Sequence, residues 1–93
     1  MKNYKVIWSS QFKKDYKLAI KRNLKIELLD NIILALSRGE TLPKENRDHE
    51  LSGNRKGYRE CHIAPDWLLI YKIYNDTLTL VLANTGIHSD LFE

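Results

Sequence analysis

Three short polar stretches hold every histidine of the chain: Asp48-His49-Glu50-Leu51, Glu60-Cys61-His62-Ile63-Ala64-Pro65-Asp66-Trp67, and Thr85-Gly86-Ile87-His88-Ser89-Asp90-Leu91-Phe92. Histidine is the side chain whose unperturbed pKa lies nearest neutrality. His49, His62 and His88, with Asp66 close to the second of them, are therefore candidates for proton transfer or metal binding. The competing explanation is structural, with turn and strand-edge positions that happen to be filled by His. A metal site built from the three histidines and Asp66 is disfavoured, because no HExxH-type spacing exists and the ligands would come from three separate loops. Neither a metal nor a cofactor is expected. The lone Cys61 has no partner for an intramolecular disulfide and no CxxC context. Within a strand it reads as a small apolar packing residue rather than a nucleophile.

Elements must hold these residues in place. Residues 4–8 alternate and are rich in β-formers, which predicts a first strand, with Ser9-Ser10 capping a helix behind it. Phe12, Tyr16, Ala19 and Ile20 recur at i, i+4, i+7 and i+8, with Lys13, Lys14, Lys17 and Lys21 on the other side. That is an amphipathic helix, ended by Arg22-Asn23. The pattern restarts at Leu24, runs through Leu28, Leu29, Ile32, Ile33 and Leu36, and stops at Gly39 with Pro43 beyond. A second helix, antiparallel to the first, follows. Residues 41–55 are polar and charged, and read as a loop carrying His49.

Three strands are expected over 58–63, 67–74 and 77–83, joined through Ala64-Pro65-Asp66 and Asn75-Asp76. Alternation in the first of them puts Tyr58, Glu60 and His62 on one face and Arg59, Cys61 and Ile63 on the other. The order β-α-α-β-β-β describes one α+β domain over residues 1–93. A helical hairpin covers one face of a small, mostly antiparallel sheet and leaves the other for function.

Composition agrees with this. At 93 residues the chain suits a single two-layer core, and 43% hydrophobic against 29% charged residues is the balance of a folded domain. No segment approaches the roughly 20 apolar residues that span a bilayer, and the first ten residues lack a signal-peptide core, so a cytoplasmic protein with no membrane contact is expected. The net charge of +3 divides unevenly. Residues 1–47 carry eleven basic and five acidic side chains, a balance of +6, and residues 48–93 carry four and seven, a balance of −3. The helical half, with Lys13, Lys14, Lys17, Lys21 and Lys25, is a candidate polyanion-binding surface, set against the simpler reading of a solvated helix face.

Three motifs, in order and at matching spacing, resemble the YafQ branch of the RelE-type toxins. They are Asp48-His49-x-Leu51-x-Gly53, then Lys56-Gly57-Tyr58-Arg59-Glu60-x-His62-Ile63-x-Pro65-Asp66-Trp67-x-Leu69-Ile70-Tyr71, then Thr85-Gly86-x-His88-x-x-Leu91-Phe92. The resemblance covers nearly the whole chain. It implies a RelE-like fold and the toxin of a type II toxin–antitoxin system, an endoribonuclease that cuts translated mRNA in the ribosomal A site. It implies as partners the ribosome with its RNA, the mRNA, and a ribbon-helix-helix antitoxin of the DinJ type, with operator DNA reached only through that antitoxin.

Carried over residue by residue, the resemblance makes His88 the candidate general acid at the leaving 5′ oxygen. His49, His62 and Asp66 become candidates for activating the ribose 2′-hydroxyl and stabilising the transition state. Side chains can supply all of this without metal. Trp67 and Phe92 could stack on bases flanking the cut, although Trp67 opens a strand and would equally close the core. Arg59 could grip a phosphate, yet alternation sets it opposite His62 and toward a salt bridge.

Two positions depart from the family pattern. Relatives often carry arginine where this chain has Asn84, and tryptophan where it has Arg55. Asn84 can hydrogen-bond a phosphate but cannot neutralise it, so transition-state stabilisation is weakened unless Arg55 or Arg59 substitutes. The alternative function is a toxin homologue with a decayed site, acting as a binding module in the antitoxin and operator complex. If the cation is missing, Asn84→Arg raises the rate of cleavage without moving the cut, and an unchanged or lower rate would count against that argument.

Overall fold

The computed structural model describes residues 3–92, with side chains as far as Leu91. Chain order is β1 (Lys5–Trp8), α1 (Ser10–Lys21), α2 (Ile26–Ser37), β2 (His49–Glu50), β3 (Arg59–Ala64), β4 (Trp67–Tyr74), β5 (Thr79–Ile87) and α3 (His88–Phe92), with short 3-10 turns at Lys44–Asn46 and Gly53–Arg55. The strands form one sheet in the order β1-β5-β4-β3-β2, antiparallel except for β1 against β5. The α+β class, the helical hairpin and the mostly antiparallel sheet stand as expected. Among the described residues no helix is long and apolar enough to cross a membrane.

Both long helices end by one device. After α1, Asn23 takes the left-handed conformation at φ 60°, and the N–H groups of Leu24 and Asn23 bond back to the carbonyls of Ala19 and Ile20. Gly39 at φ 73° does the same after α2, with Glu40 and Gly39 bonded to Ala35 and Leu36. These 6→1 and 5→2 bonds satisfy carbonyls that a helix end leaves unpaired. At the other end of α1, Ser9 Oγ accepts from Phe12 N–H at 3.0 Å, as a capping serine does.

The hairpin buries Phe12, Ala19, Leu29 and Leu36 on one face of the sheet, against Cys61, Ile63, Trp67, Leu69, Tyr71, Leu80 and Leu82. Alternation explains the odd-numbered set on β3 and β4. On β5 it fails, and the failure is informative. Tyr71 pairs with Leu82, but its predecessor Ile70 pairs with Asn84, so Ala83 is an extra residue. This bulge flips the alternation: Leu82 and Thr85 both face the helix-side core, while Asn84 and Gly86 turn to the opposite face.

Two expectations need correction. The segment 41–55 is not wholly loop, because His49-Glu50 pairs with Glu60-Arg59 as a two-residue edge strand. Such a strand has no hydrophobic period long enough to be read from sequence. The last strand was expected to stop at residue 83, and it runs to Ile87, because the bulge breaks the period while backbone pairing with β4 continues.

Cys61 lies in the core with no exposed surface, and burial pushes its thiol up to about 12. A raised thiol pKa favours the protonated, folded form. The stability it contributes is full below the unfolded thiol's pKa of about 8.5 and is lost as pH rises from there toward 12. Wild type should therefore lose more Tm than Cys61→Ala between pH 9 and 11, by up to about 1.4 kcal/mol of stability per pH unit. At pH 8 a thiol reagent should label Cys61 only in denaturant; rapid labelling of the native protein would contradict this placement.

Candidate active site

Cross-strand pairing gathers the histidines. His49 pairs with Glu60, Glu60 with Ile70 and Ile70 with Asn84, so these four side chains form a row on the face away from the helices. The next row is His62, Leu68 and Gly86. His88 follows two residues later, where the backbone turns from β5 into α3 and its N–H donates to the Asp66 carbonyl at 3.1 Å. Residues far apart in sequence thus meet at the end of the sheet where β3 turns into β4 and β5 ends.

Glu60 is the residue that the sequence reading placed on this face and assigned no role. It is 7% exposed, and its Oε1 lies 3.4 Å from His49 Nε2 and 4.0 Å from His62 Nε2. A single carboxyl group thus stands between two imidazoles. The other ring nitrogens also face acceptors: His49 Nδ1 is 2.6 Å from the Arg47 carbonyl and His62 Nδ1 is 3.2 Å from that of Pro65. A doubly protonated ring donates at both nitrogens, whereas a neutral one donates at one and offers a lone pair at the other. Each histidine is therefore oriented on both sides, as a group that holds and passes a proton must be. The signal in sequence was the Glu60-x-His62 spacing on a strand, readable only once β2 was known to lie beside it.

Local backbone features fix these rings. Arg47 adopts φ 48° after the turn at Lys44–Asn46, which presents its carbonyl to His49. Asn46 Nδ2 donates to the His62 carbonyl at 2.7 Å, at the register shift between His62 and Ala64. A cavity of about 390 Å³ lies beside His62, lined by Asn46, Arg47 and Pro65. His49, Asp66 and His88 are exposed, open to a substrate arriving from outside. Among the described residues no three His, Cys, Asp or Glu side chains are disposed to hold a metal ion.

Two sequence candidates sit elsewhere. Trp67 is 4% exposed in the helix-side core. Its indole N–H donates to Thr85 Oγ1 at 3.0 Å, and Thr85 donates on to the Leu68 carbonyl at 2.7 Å. Of its two readings the core one describes this structure, since the ring has almost no free face on which a base could stack. Arg59 also lies on the helix side, against Asp48 at 3.3 Å and Glu50 at 3.7 Å, and Tyr71 donates to the same Asp48 carboxylate. Burial and that hydrogen bond hold the Tyr71 phenol well above its ordinary pKa. Arg59 is thus committed to holding the segment before His49, as alternation implied. Phe92 is at the end of α3, but its side chain lies outside the described residues. Arg55 and Asn84 are together, half-buried, on the face away from the hairpin, with Arg55 Nη1 donating to Asn84 Oδ1 at 3.0 Å.

Comparison with known proteins agrees with this arrangement. Residues 4–93 match the model of a family described as the bacterial toxin of type II toxin–antitoxin system, YafQ. The mRNA interferase toxin YafQ of Escherichia coli K12 is 41% identical over 86 residues, 91% of each chain. The crystal structure of YafQ from E. coli BL21(DE3) superposes with a TM-score of 0.91 at 37% identity, covering 98% of this chain and 100% of that one. YafQ in the E. coli DinJ–YafQ toxin–antitoxin complex gives 0.90 at 38% identity, with 98% and 99% covered. Family model, identity and fold agree over nearly the full length, and the chain belongs to the YafQ family of type II toxin–antitoxin toxins.

Proposed function

We propose that this toxin is a ribosome-dependent endoribonuclease that cuts mRNA in the A site by acid–base catalysis from its own side chains. The observation that carries the reading is Glu60 standing between His49 and His62 on one sheet face, with the backbone of His88 bonded to Asp66 in the β3–β4 turn beside it. RNA supplies its own nucleophile. Attack of the 2′-hydroxyl on the adjacent phosphate needs a proton acceptor, a donor for the 5′ oxygen, and help for the charge that develops on phosphorus. His49 or His62, oriented by Glu60, accepts the 2′ proton. His88, at the far side of the β3–β4 turn and carrying Asp66 beside it, donates to the leaving oxygen. The products are a 2′,3′-cyclic phosphate and a free 5′-hydroxyl, which balances the proton removed against the proton delivered.

An exposed set of catalytic groups on a shallow face positions a flexible RNA poorly by itself, and the programmed ribosome supplies that orientation. The antitoxin of this reading is a ribbon-helix-helix protein whose extended segment wraps the toxin; that an antitoxin binds at all is supported by the DinJ–YafQ complex of the E. coli relative. The lysine-bearing face of α1 is exposed at Lys13, Lys14, Lys17 and Lys21, and serves in the same reading as the surface that meets ribosomal RNA.

Mapping of mRNA 5′ ends after mixing the protein with ribosomes paused at a defined codon should show cuts confined to that codon, and none on the same RNA alone. His88→Ala should slow cutting by roughly 10² to 10⁴-fold. No cutting in either tube by folded protein would favour the binding module with a decayed site. Glu60→Gln keeps the shape and removes the charge, and should lower kcat at least about tenfold with KM little changed. Its Tm should hold or rise, since a buried carboxylate is costly. A drop in Tm with kcat intact would make Glu60 a packing residue only.

A further inference from the structure

Most arginines with a side-chain partner in this protein are matched to acids. Arg22 lies 2.7 Å from Asp90, and Arg59 is shared by Asp48 and Glu50. Arg55 differs. Its half-buried side chain donates to the neutral amide of Asn84 and makes no ion pair among the described residues. A neutral acceptor aims a guanidinium without cancelling its charge, and most of its five N–H donors remain for another ligand.

Placement makes that charge useful. Asn84 ends the row that begins with His49 and Glu60, so the guanidinium stands on the histidine face. Arg55 and Asn84 line a cavity of about 590 Å³ together with Ile87 and Ser89, the residues on either side of His88, and with Arg22, whose charge is matched by Asp90. Two carboxylates also line it, and both are engaged: Asp15 accepts from the Thr85 N–H and from Gln11, and Asp90 pairs with Arg22. The turn that carries Arg55 is itself fixed, with Lys56 N–H bonded to Gly53 O at 3.1 Å and Tyr58 N–H to Arg55 O at 3.0 Å. Gly53 at φ 66° allows that turn.

We infer that Arg55, aimed by Asn84, is the phosphate-binding cation of this site, gripping a phosphate of the RNA strand in the cavity beside His88. The inference rests on the nuclease reading above and completes it. Proton donors and acceptors are present on the histidine face, and Arg55 adds a pre-oriented positive charge for the phosphorane. It also changes what the Asn84 position means. The cation is not missing but arrives from the facing turn, so Asn84→Arg alone would remove Arg55's acceptor, crowd two guanidiniums together and give no gain.

The test is kcat/KM for cleavage on programmed ribosomes in four proteins: wild type, Arg55→Gln, Asn84→Arg and the double variant. Loss of one charged hydrogen-bonding contact predicts a fall of about 10- to 100-fold in Arg55→Gln. Substantial recovery is expected in the double variant, where the strand residue supplies the charge, and no gain in Asn84→Arg alone. The log–log salt dependence of ribosome binding should flatten by about one in Arg55→Gln, with Tm and antitoxin binding held. Full activity and an unchanged slope in Arg55→Gln overturn the inference and leave the nuclease reading intact. Should Arg55→Gln lower Tm, failure of the double variant to recover activity overturns it. If wild type cuts nothing, the nuclease reading falls, and the salt slope of ribosome binding alone decides whether Arg55 holds a phosphate.

Discussion

One extra residue in β5 organises the functional end of the molecule. Without the bulge at Ala83, strict alternation from Leu82 would turn Asn84 and Gly86 into the helix-side core and Thr85 out of it. With it, the polar Asn84 stands on the histidine face, and Gly86 faces Leu91 of α3 there, at ordinary contact distance even for an added Cβ. Beyond Trp8 the first strand no longer covers β5, so the bulge exposes edge groups that need partners. Helix α1 provides them. Ser9 Oγ donates to the Ala83 carbonyl at 2.9 Å, and Asp15 accepts the Thr85 N–H at 3.1 Å. The serine that caps the helix therefore also holds the irregularity.

The Thr85-Gly86-x-His88 motif acquires a physical meaning from this. Thr85 is buried and carries a chain of hydrogen bonds from the Trp67 indole through its hydroxyl to the Leu68 carbonyl. Replacing either partner would strand a buried donor or acceptor, at a cost of about 1–3 kcal/mol. Trp67 and Thr85 are thus conjoined: the aromatic residue beside Asp66 fixes β4 against β5 at the level where His88 leaves the sheet. Its influence on the site runs through position rather than contact.

Sequence periodicity made the helices, the three main strands and the face of His62 legible, because each carries several turns or alternations of apolar residues. It did not reveal β2, since a two-residue strand contains no period, nor the extension of β5 through the bulge. The candidate histidines were legible from their chemistry alone, but Glu60 was not. Its role exists only in the pairing of His49 with Glu60, a long-range contact that no local pattern encodes. The partnership of Arg55 with Asn84 was hidden for the same reason. The charge lost at Asn84 and the cation that could replace it at Arg55 are joined by one hydrogen bond.

The position of Glu60 bears on why such a small domain keeps a carboxyl group in its sheet. A buried carboxylate is costly to desolvate, and its attraction to nearby cations seldom returns more than that cost. Here, among the described residues, its ion-pair neighbours are two histidines and no arginine or lysine, and a Gln of the same shape would pack as well. Stability therefore gives no reason to prefer Glu at this place. In the proposed mechanism, orientation of two histidine rings does, because Glu60 sits on a strand paired on both sides and reaches both rings. The protein places the unfavourable group on β3, paired on both sides by β2 and β4, and leaves His49 exposed at the sheet edge. Local choices that conflict with packing are expected where a site needs them, and Glu60 marks that conflict more clearly than any of the histidines.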